Sequence, residues 1–229
     1  MRVLVIDIGG TKVKCLATGH SARRTFASGK KLTPKQMVAN VKELTREWRY
    51  DVVSIGYPGL VTDGHPATEP HNLGRGWVKF DYAAAFGCPV KILNDAAMQA
   101  IGSYQGGLML FMGLGTGLGS ALVSGDTVVP LEIGHLAYRK GTYEDHVGVR
   151  GLNKHGAKQW RRDVANGVKR LVETIHPDDI VIGGGNAKKL KKLPAHCRAG
   201  DNSKAFIGGY RMWEQHPKKS RHKSTTARR

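Results

Sequence analysis

Two glycine-rich turns, each set between apolar runs, constrain this chain more than any other feature. The first, Asp7-Ile8-Gly9-Gly10-Thr11-Lys12, follows the run from Arg2 to Ile8 and precedes Val13 to Thr18. The second, Gly113-Leu114-Gly115-Thr116-Gly117, lies between Leu108 to Gly113 and Leu118 to Ser124. Short apolar runs bounded by glycine read as buried strands, and two of them around a tight turn read as a hairpin. Each half of the chain thus opens with the same device, a rough internal duplication. Two sheets with facing Gly/Thr hairpins make a cleft lined with backbone N–H groups. Glycine lets such groups approach phosphate oxygens and take positive φ at the turn, while Thr11, Thr116 and Lys12 add hydroxyl donors and a positive charge. Any hairpin also needs glycine, so each turn alone fits a purely structural role. Neither is a dinucleotide or Walker loop: Gly115-Thr116-Gly117 does not open a helix, and the Gly-Lys-Ser/Thr ending is missing.

The remaining pattern is that of an α/β protein. Arg24 to Ala27 is a third strand of the first meander. Pro34 to Trp48 reads as a helix with Thr33 as N-cap, Pro34 in the first turn, and Met37, Val41, Leu44 and Trp48 on one face. Asp51 to Tyr57 is a strand that stops at Pro58-Gly59. Pro89 to Leu93 is another, with a helix from Ala96 to Tyr104 behind it. In the second half Val164, Val168, Leu171, Val172 and Ile175 recur at helical spacing between Ala157 and Ile175. Ile180 to Ile182 is a strand running into Gly183-Gly184-Gly185 and a following helix, and Lys204 to Trp213 is a last helix. The expected organisation is an N-terminal α/β subdomain over 1–106, with the helix at 204–215 a candidate to complete it. A second subdomain covers 107–203, and a basic disordered tail covers 216–229.

Composition narrows the function classes. The net charge is +18, and the tail from His216 to Arg229 holds six of the 36 Lys and Arg residues and no acid. The rest of the chain still has 30 bases against 18 acids, a field that favours polyanions such as nucleotides, inorganic polyphosphate or nucleic acid. A solubility charge is the plain alternative. Cys15, Cys88 and Cys197 are far apart, which argues against a disulfide framework and a cysteine-rich zinc site. No apolar run is long enough to span a membrane, and Met1 to Asp7 is a poor signal peptide, so a cytoplasmic location is expected.

Three further groups carry chemistry. Asn94-Asp95 sits where a strand hands over to a helix. A carboxylate there faces the cleft and can take a proton from an attacking hydroxyl, with the ordinary aspartate pKa of about 3.9 keeping it ionised. The alternative is that Asp95 is only the helix N-cap. Glu132-Ile133-Gly134-His135 offers an acid and an imidazole three residues apart, suited to sugar hydroxyls or to a plain surface turn. Gly183-Gly184-Gly185-Asn186 ends a strand, and either passes a backbone under a nucleotide or forms a simple turn.

The order of these pieces, together with Gly56-Tyr57-Pro58-Gly59, resembles the ROK sugar kinases, most closely their polyphosphate glucokinase branch, over roughly Val3 to Gly209. Its sharpest parts are Asn94-Asp95, Leu114 to Leu122, and Glu132 to Leu136. The resemblance implies an actin-like ATPase (ribonuclease H-like) fold with a cleft between two α/β subdomains. It implies a kinase acting on the 6-hydroxyl of glucose, with Asp95 as base and Asn72, Asn94, Glu132, His135 and Glu144 as sugar-binding residues. Gly9, Gly10, Thr11, Lys12, Gly115, Thr116 and Gly117 would grip the donor phosphates, Gly183, Gly184 and Gly185 would border a nucleotide, and Asp7 would hold Mg²⁺ through water. ATP, polyphosphate or both would be the donor, and a homodimer is the family's usual state. Most members carry a zinc-binding CxCGxxGC loop; Arg139 to Val149 contains no cysteine, so zinc is not expected. The segment from Ala187 to Ala205 is compressed and lysine-rich beside the family's, which suits a polymeric phosphate better than an adenine ring. Alternatives are an ATP-dependent kinase of mannose or fructose, and a non-catalytic actin-like protein binding polyanions or nucleic acid; as a partner of the kinase nucleic acid is not expected, because nothing resembles a helix-turn-helix.

Overall fold

The computed structural model describes residues 1–214, so the basic tail expected over 216–229 lies outside the described residues. The first half runs β1 (Val3–Ile8), β2 (Lys12–Ala17), β3 (Arg24–Ala27), α1 (Pro34–Leu44) and β4 (Val52–Tyr57). A small hairpin of β5 (Val61–Thr62) and β6 (His65–Pro66), then α2 (Tyr82–Phe86), β7 (Val90–Asn94) and α3 (Asp95–Ser103) complete it. The second half runs β8 (Leu108–Leu114), β9 (Leu118–Ser124), β10 (Thr127–Leu131), α4 (Tyr143–Val147) and α5 (Val149–Ile175). It ends with β11 (Asp179–Gly183), β12 (Cys197–Ala199) and α6 (Lys204–Arg211), with short 3₁₀ turns at Ile133–His135 and Ala187–Lys189.

The duplication is visible in the sheets. One has the order β3-β2-β1-β4-β7 and the other β10-β9-β8-β11-β12. In both, three antiparallel strands come first and two parallel ones follow. β1 and β8 are the central strands, and side chains on a strand alternate between its faces. Leu4, Ile6 and Ile8 enter a core with Met37, Val38 and Val41 of α1 and the buried Trp77. Val3 and Val5 point the other way, to Met98 of α3 and to Ala205 and Phe206 of α6. Leu110, Met112 and Leu114 likewise meet Trp160, Val164 and Val168 of α5. Met109 and Phe111 face Ala96, Ala97 and Ala100 of α3.

Helix α3 therefore lies between the sheets, with methionine toward one and alanines toward the other. Small side chains let it approach β9 closely: a Cβ added at Gly119 would sit 2.8 Å from the Ala96 Cβ. Its N-terminus, which carries Asp95, is held where the two sheets meet. α6 crosses back to the first sheet. Ser54 Oγ donates to Gly209 O at 2.6 Å, and a side chain at Gly102 or Gly208 would collide with the opposing helix backbone.

Three elements end differently from the sequence expectation. The helix from Pro34 stops at Leu44 rather than Trp48: Arg24 caps the Leu44 carbonyl at 2.7 Å and Thr45 Oγ1 turns back to Val41 O at 2.8 Å. Trp48 is still buried in the first core. The last helix stops at Arg211 rather than Trp213. No regular helix follows Gly183-Gly184-Gly185. Gly184 takes φ 84° and directs the chain back, so that Asn186 N donates to Leu114 O at 2.9 Å.

Candidate active site

The site is built around one cross-strand pair. In the β1–β2 register Asp7 stands opposite Lys14, and Lys14 Nζ donates to Asp7 Oδ2 at 2.6 Å. Asp7 shares the β1 face of Val3 and Val5, which looks toward α3, and it is 7% exposed. Beyond it the first hairpin is closed by Gly9 N to Lys12 O at 3.0 Å and clasped by Ser28 Oγ to Gly9 O at 2.6 Å. Thr11 and Lys12 are exposed at its tip. Asn72 lies against it, since a Cβ at Gly10 would be 3.3 Å from the Asn72 Cβ. The Asn72 loop is anchored by Trp77, whose Nε1 donates to Gly74 O at 2.9 Å.

Asn94, not Asp95, caps α3. Its Oδ1 accepts from Ala96 N at 2.9 Å and Ala97 N at 3.2 Å, and its Nδ2 donates to Gly59 O at 3.1 Å. That leaves Asp95 at the first helical position, partly buried, with Oδ1 accepting from Ala96 N at 2.8 Å. Gly56 permits this approach: a side chain there would strike Met98, and its Cβ would lie 3.5 Å from Asp95 Cα. Burial, and then the charge of Asp7, push the Asp95 carboxyl up to about 7, against the pull of the Ala96 N–H and of Lys14. The ordinary carboxylate expected from sequence is thus corrected: two acids at the junction of two sheets cannot both stay as acidic as in water.

The second hairpin faces α3 through Gly119 and is closed by Gly115 N to Gly117 O at 3.1 Å. Glu144 of α4 lies directly against Gly117, and its Oε2 is 3.4 Å from a Cβ placed at Gly134. Its carboxylate thus joins the second hairpin to the Glu132–His135 turn. Glu132 and His135 sit at either end of that turn, exposed, with Oε2 and Nδ1 3.8 Å apart. Among the described residues neither hydrogen-bonds Asp95 or Asn72. Thr116 O accepts from Val149 N at 3.1 Å, setting the start of α5 against the hairpin.

The glycine triplet supports this hairpin. Gly183 packs on Phe111 and Gln99, Gly184 on the Leu114 backbone, and Asn186 Nδ2 donates to Gly115 O at 2.9 Å; Gly185 is exposed. None of Gly9, Gly10, Gly115 or Gly117 has positive φ; close approach constrains Gly9, Gly10 and Gly117, whereas Gly115 has open space where a side chain would stand. Sequence reasoning missed Lys14 and Asn186. The signal for Lys14 was present, because pairing Ile8 with Val13 across the turn puts residue 14 opposite residue 7.

Among the described residues no group of three or more His, Cys, Asp or Glu is placed to hold a metal. A magnesium ion held through water needs less, because it takes one or two carboxylates and completes its shell with waters and substrate phosphates. Asp7 fits that demand, with one oxygen on Lys14 and Asp95 close enough to feel its charge. No helix among the described residues is long and apolar enough to cross a membrane.

The chain is 28% identical over 210 residues to the polyphosphate glucokinase of Mycobacterium tuberculosis, covering 82% of this chain and 78% of that one. It is 30% identical over 172 residues to the N-acetylmannosamine kinase of Escherichia coli O157:H7, covering 68% and 56%. Its fold matches that of the inorganic polyphosphate/ATP-glucomannokinase of Arthrobacter sp. strain KM with a TM-score of 0.79, at 21% identity over 92% of this chain and 97% of that one. The two sheets and their cleft are accordingly the actin-like fold. The ROK family model matches residues 3–146, well over half of the chain, and the protein belongs to the ROK family.

Proposed function

We propose that the chain is a sugar kinase that moves the terminal phosphoryl group of inorganic polyphosphate or ATP onto the 6-hydroxyl of glucose. The observation that carries this is Asp95, its carboxyl pushed up to about 7 beside Asp7 of the first sheet, on the helix that packs through Ala96 against Gly119 of the second. A base is most effective when its pKa lies near the working pH. Its likeness to a polyphosphate glucokinase, and to a structure named for both donors, supports the choice of sugar and donor.

In the reaction a new P–O bond forms at the sugar oxygen as the terminal P–O–P bond of the donor breaks. The shortened donor leaves with the bonding electron pair, and Asp95 accepts the hydroxyl proton. Asn72, Glu144, Glu132 and His135 hold the other hydroxyls, and Asn94 keeps the α3 terminus in place. Backbone N–H groups of Gly9, Gly10, Thr11, Gly115, Thr116 and Gly117, with Lys12, take charge from the transferring group. Magnesium bound through Asp7, when present, supplies further neutralisation of the donor phosphates. Closure of 107–203 onto 1–106 and its returning C-terminal helix excludes water. The protein acts in the cytoplasm as a homodimer.

A coupled assay for glucose 6-phosphate, run with Mg-ATP and with Mg-polyphosphate, tests the reading. Product from either donor supports it; no product from either, with glucose and with mannose, contradicts it. The N-acetylmannosamine kinase relative favours a second reading, the same chemistry on another hexose. A panel of hexoses in the same assay separates the two.

A further inference from the structure

The outer face of the second half gathers positive charge without acids to balance it. Between Asp179 and Asp201 there is no acidic residue, while lysines stand at 188, 189, 191 and 192, all exposed. Helix α5 has only two acids, Asp163 and Glu173. Asp163 is buried, held by Arg139 at 3.1 Å and Tyr138 at 3.2 Å, and Glu173 faces Lys169 a turn away. Lys158, Arg161 and Arg162 make no ion pair among the described residues.

These two cationic segments are clasped together. Arg161 Nε donates to the Lys189 carbonyl at 2.8 Å, and Leu190 and Leu193 pack into the core under Trp160 and Val164. Crowding like charges this way costs stability through mutual repulsion, which a bound linear polyanion would relieve. The cluster also has a direction. Asn186, two residues before Lys188, is bonded through its backbone and its side chain to Leu114 and Gly115 of the donor hairpin. The lysine-rich segment therefore starts two residues from an anchor on the second glycine hairpin and is joined to α5 at Arg161.

We propose that this face is a track for inorganic polyphosphate, which holds the donor chain beyond its reacting end. The proposal rests on the kinase reading for its catalytic meaning, but the track binds polyphosphate whether or not transfer follows. A long chain can occupy the hairpin and the whole lysine segment at once; ATP and tripolyphosphate are too short to cover both. A chain held there stays bound through successive transfers.

The test replaces Lys188, Lys189, Lys191 and Lys192 together by Gln, with Arg162→Gln as a separate milder variant. Binding of end-labelled polyphosphate of about 100 units is measured by anisotropy at two salt concentrations, and KM is measured for that chain, for tripolyphosphate and for ATP. The quadruple variant should bind the long chain about tenfold more weakly with a shallower salt dependence, while the KM values for ATP and tripolyphosphate stay within about twofold. Arg162→Gln should show a smaller loss of the same kind. Unchanged long-chain affinity, or an equal loss for ATP, overturns the track. If the native chain binds polyphosphate through these lysines but transfers nothing from it, the donor reading fails and the track stands. If it transfers and the variant keeps full long-chain affinity, the track fails and the donor reading stands.

Discussion

β1 and β8 hold the same place in two sheets of the same order, yet where β1 has Asp7 before its glycine turn, β8 has Gly113. The first hairpin is thereby coupled to a part-buried charge pair, Asp7 with Lys14, and through it to Asp95. The second has no such pair. A Cβ at Gly113 would already lie 3.3 Å from Phe111, and its polar supports, Glu144 and Asn186, come from elements outside the strand pair. Under the proposed function the duplicated scaffold would serve two purposes: the first copy would place the charge that handles the proton, and the second would present backbone to the donor.

If that division is right, damage to the first half should affect turnover and damage to the second should affect donor binding. The largest effect is expected for Asp95→Asn, with kcat falling about 10²- to 10⁴-fold. Its dissociation constant for glucose by calorimetry should barely change, whereas a matching loss of sugar affinity would make Asp95 a binding residue. Lys14→Met comes next, with kcat lower by about tenfold or more, because Asp7 loses its partner and Asp95 the cation that pulls its pKa down. The acid limb of its pH profile should therefore move to higher pH. An unmoved limb would uncouple Lys14 from the base. Asn186→Ala removes one hydrogen bond to the second hairpin, worth about 1 kcal/mol, and should raise donor KM about fivefold with sugar KM unchanged. A change in sugar KM instead would blur the division.

The last prediction concerns stability rather than turnover. An acid whose folded pKa is raised costs nothing below its unfolded pKa of about 4 and destabilises increasingly as pH rises toward 7. Asp95→Asn should thus be more stable than the native chain at pH 8 by about 4 kcal/mol and nearly equal to it at pH 4, as read by urea unfolding. Equal stability at both would mean that the Asp95 carboxyl is solvated as in water.

Much of this was legible from the residues. Both hairpins, the strand before each and Asp95 at a strand-to-helix handover follow from apolar runs and turn residues, which are local signals. The alternative of Asp95 as the cap fell to its neighbour: Asn94 and Asp95 are both good N-caps, and the β7 pairing, with Asn94 opposite Tyr57, leaves Asn94 outside the helix. β10 was missed because Thr127-Val128-Val129-Pro130-Leu131 sits on a sheet edge, half exposed and containing proline. The site was harder still. The raised pKa of Asp95 and the place of Glu144 against Gly117 depend on how two sheets close around α3, which no single segment encodes.

The central claim is that Asp95 is a base tuned by its place between the sheets, and the pH dependence of kcat/KM for glucose in the native chain tests it most directly. That ratio reports the ionisation of the free enzyme. The account predicts a rate that rises through a single ionisation near pH 7 and a limb that vanishes in Asp95→Asn. A limb in the ordinary carboxylate range near pH 4, or one near pH 7 that persists in the variant, would contradict it.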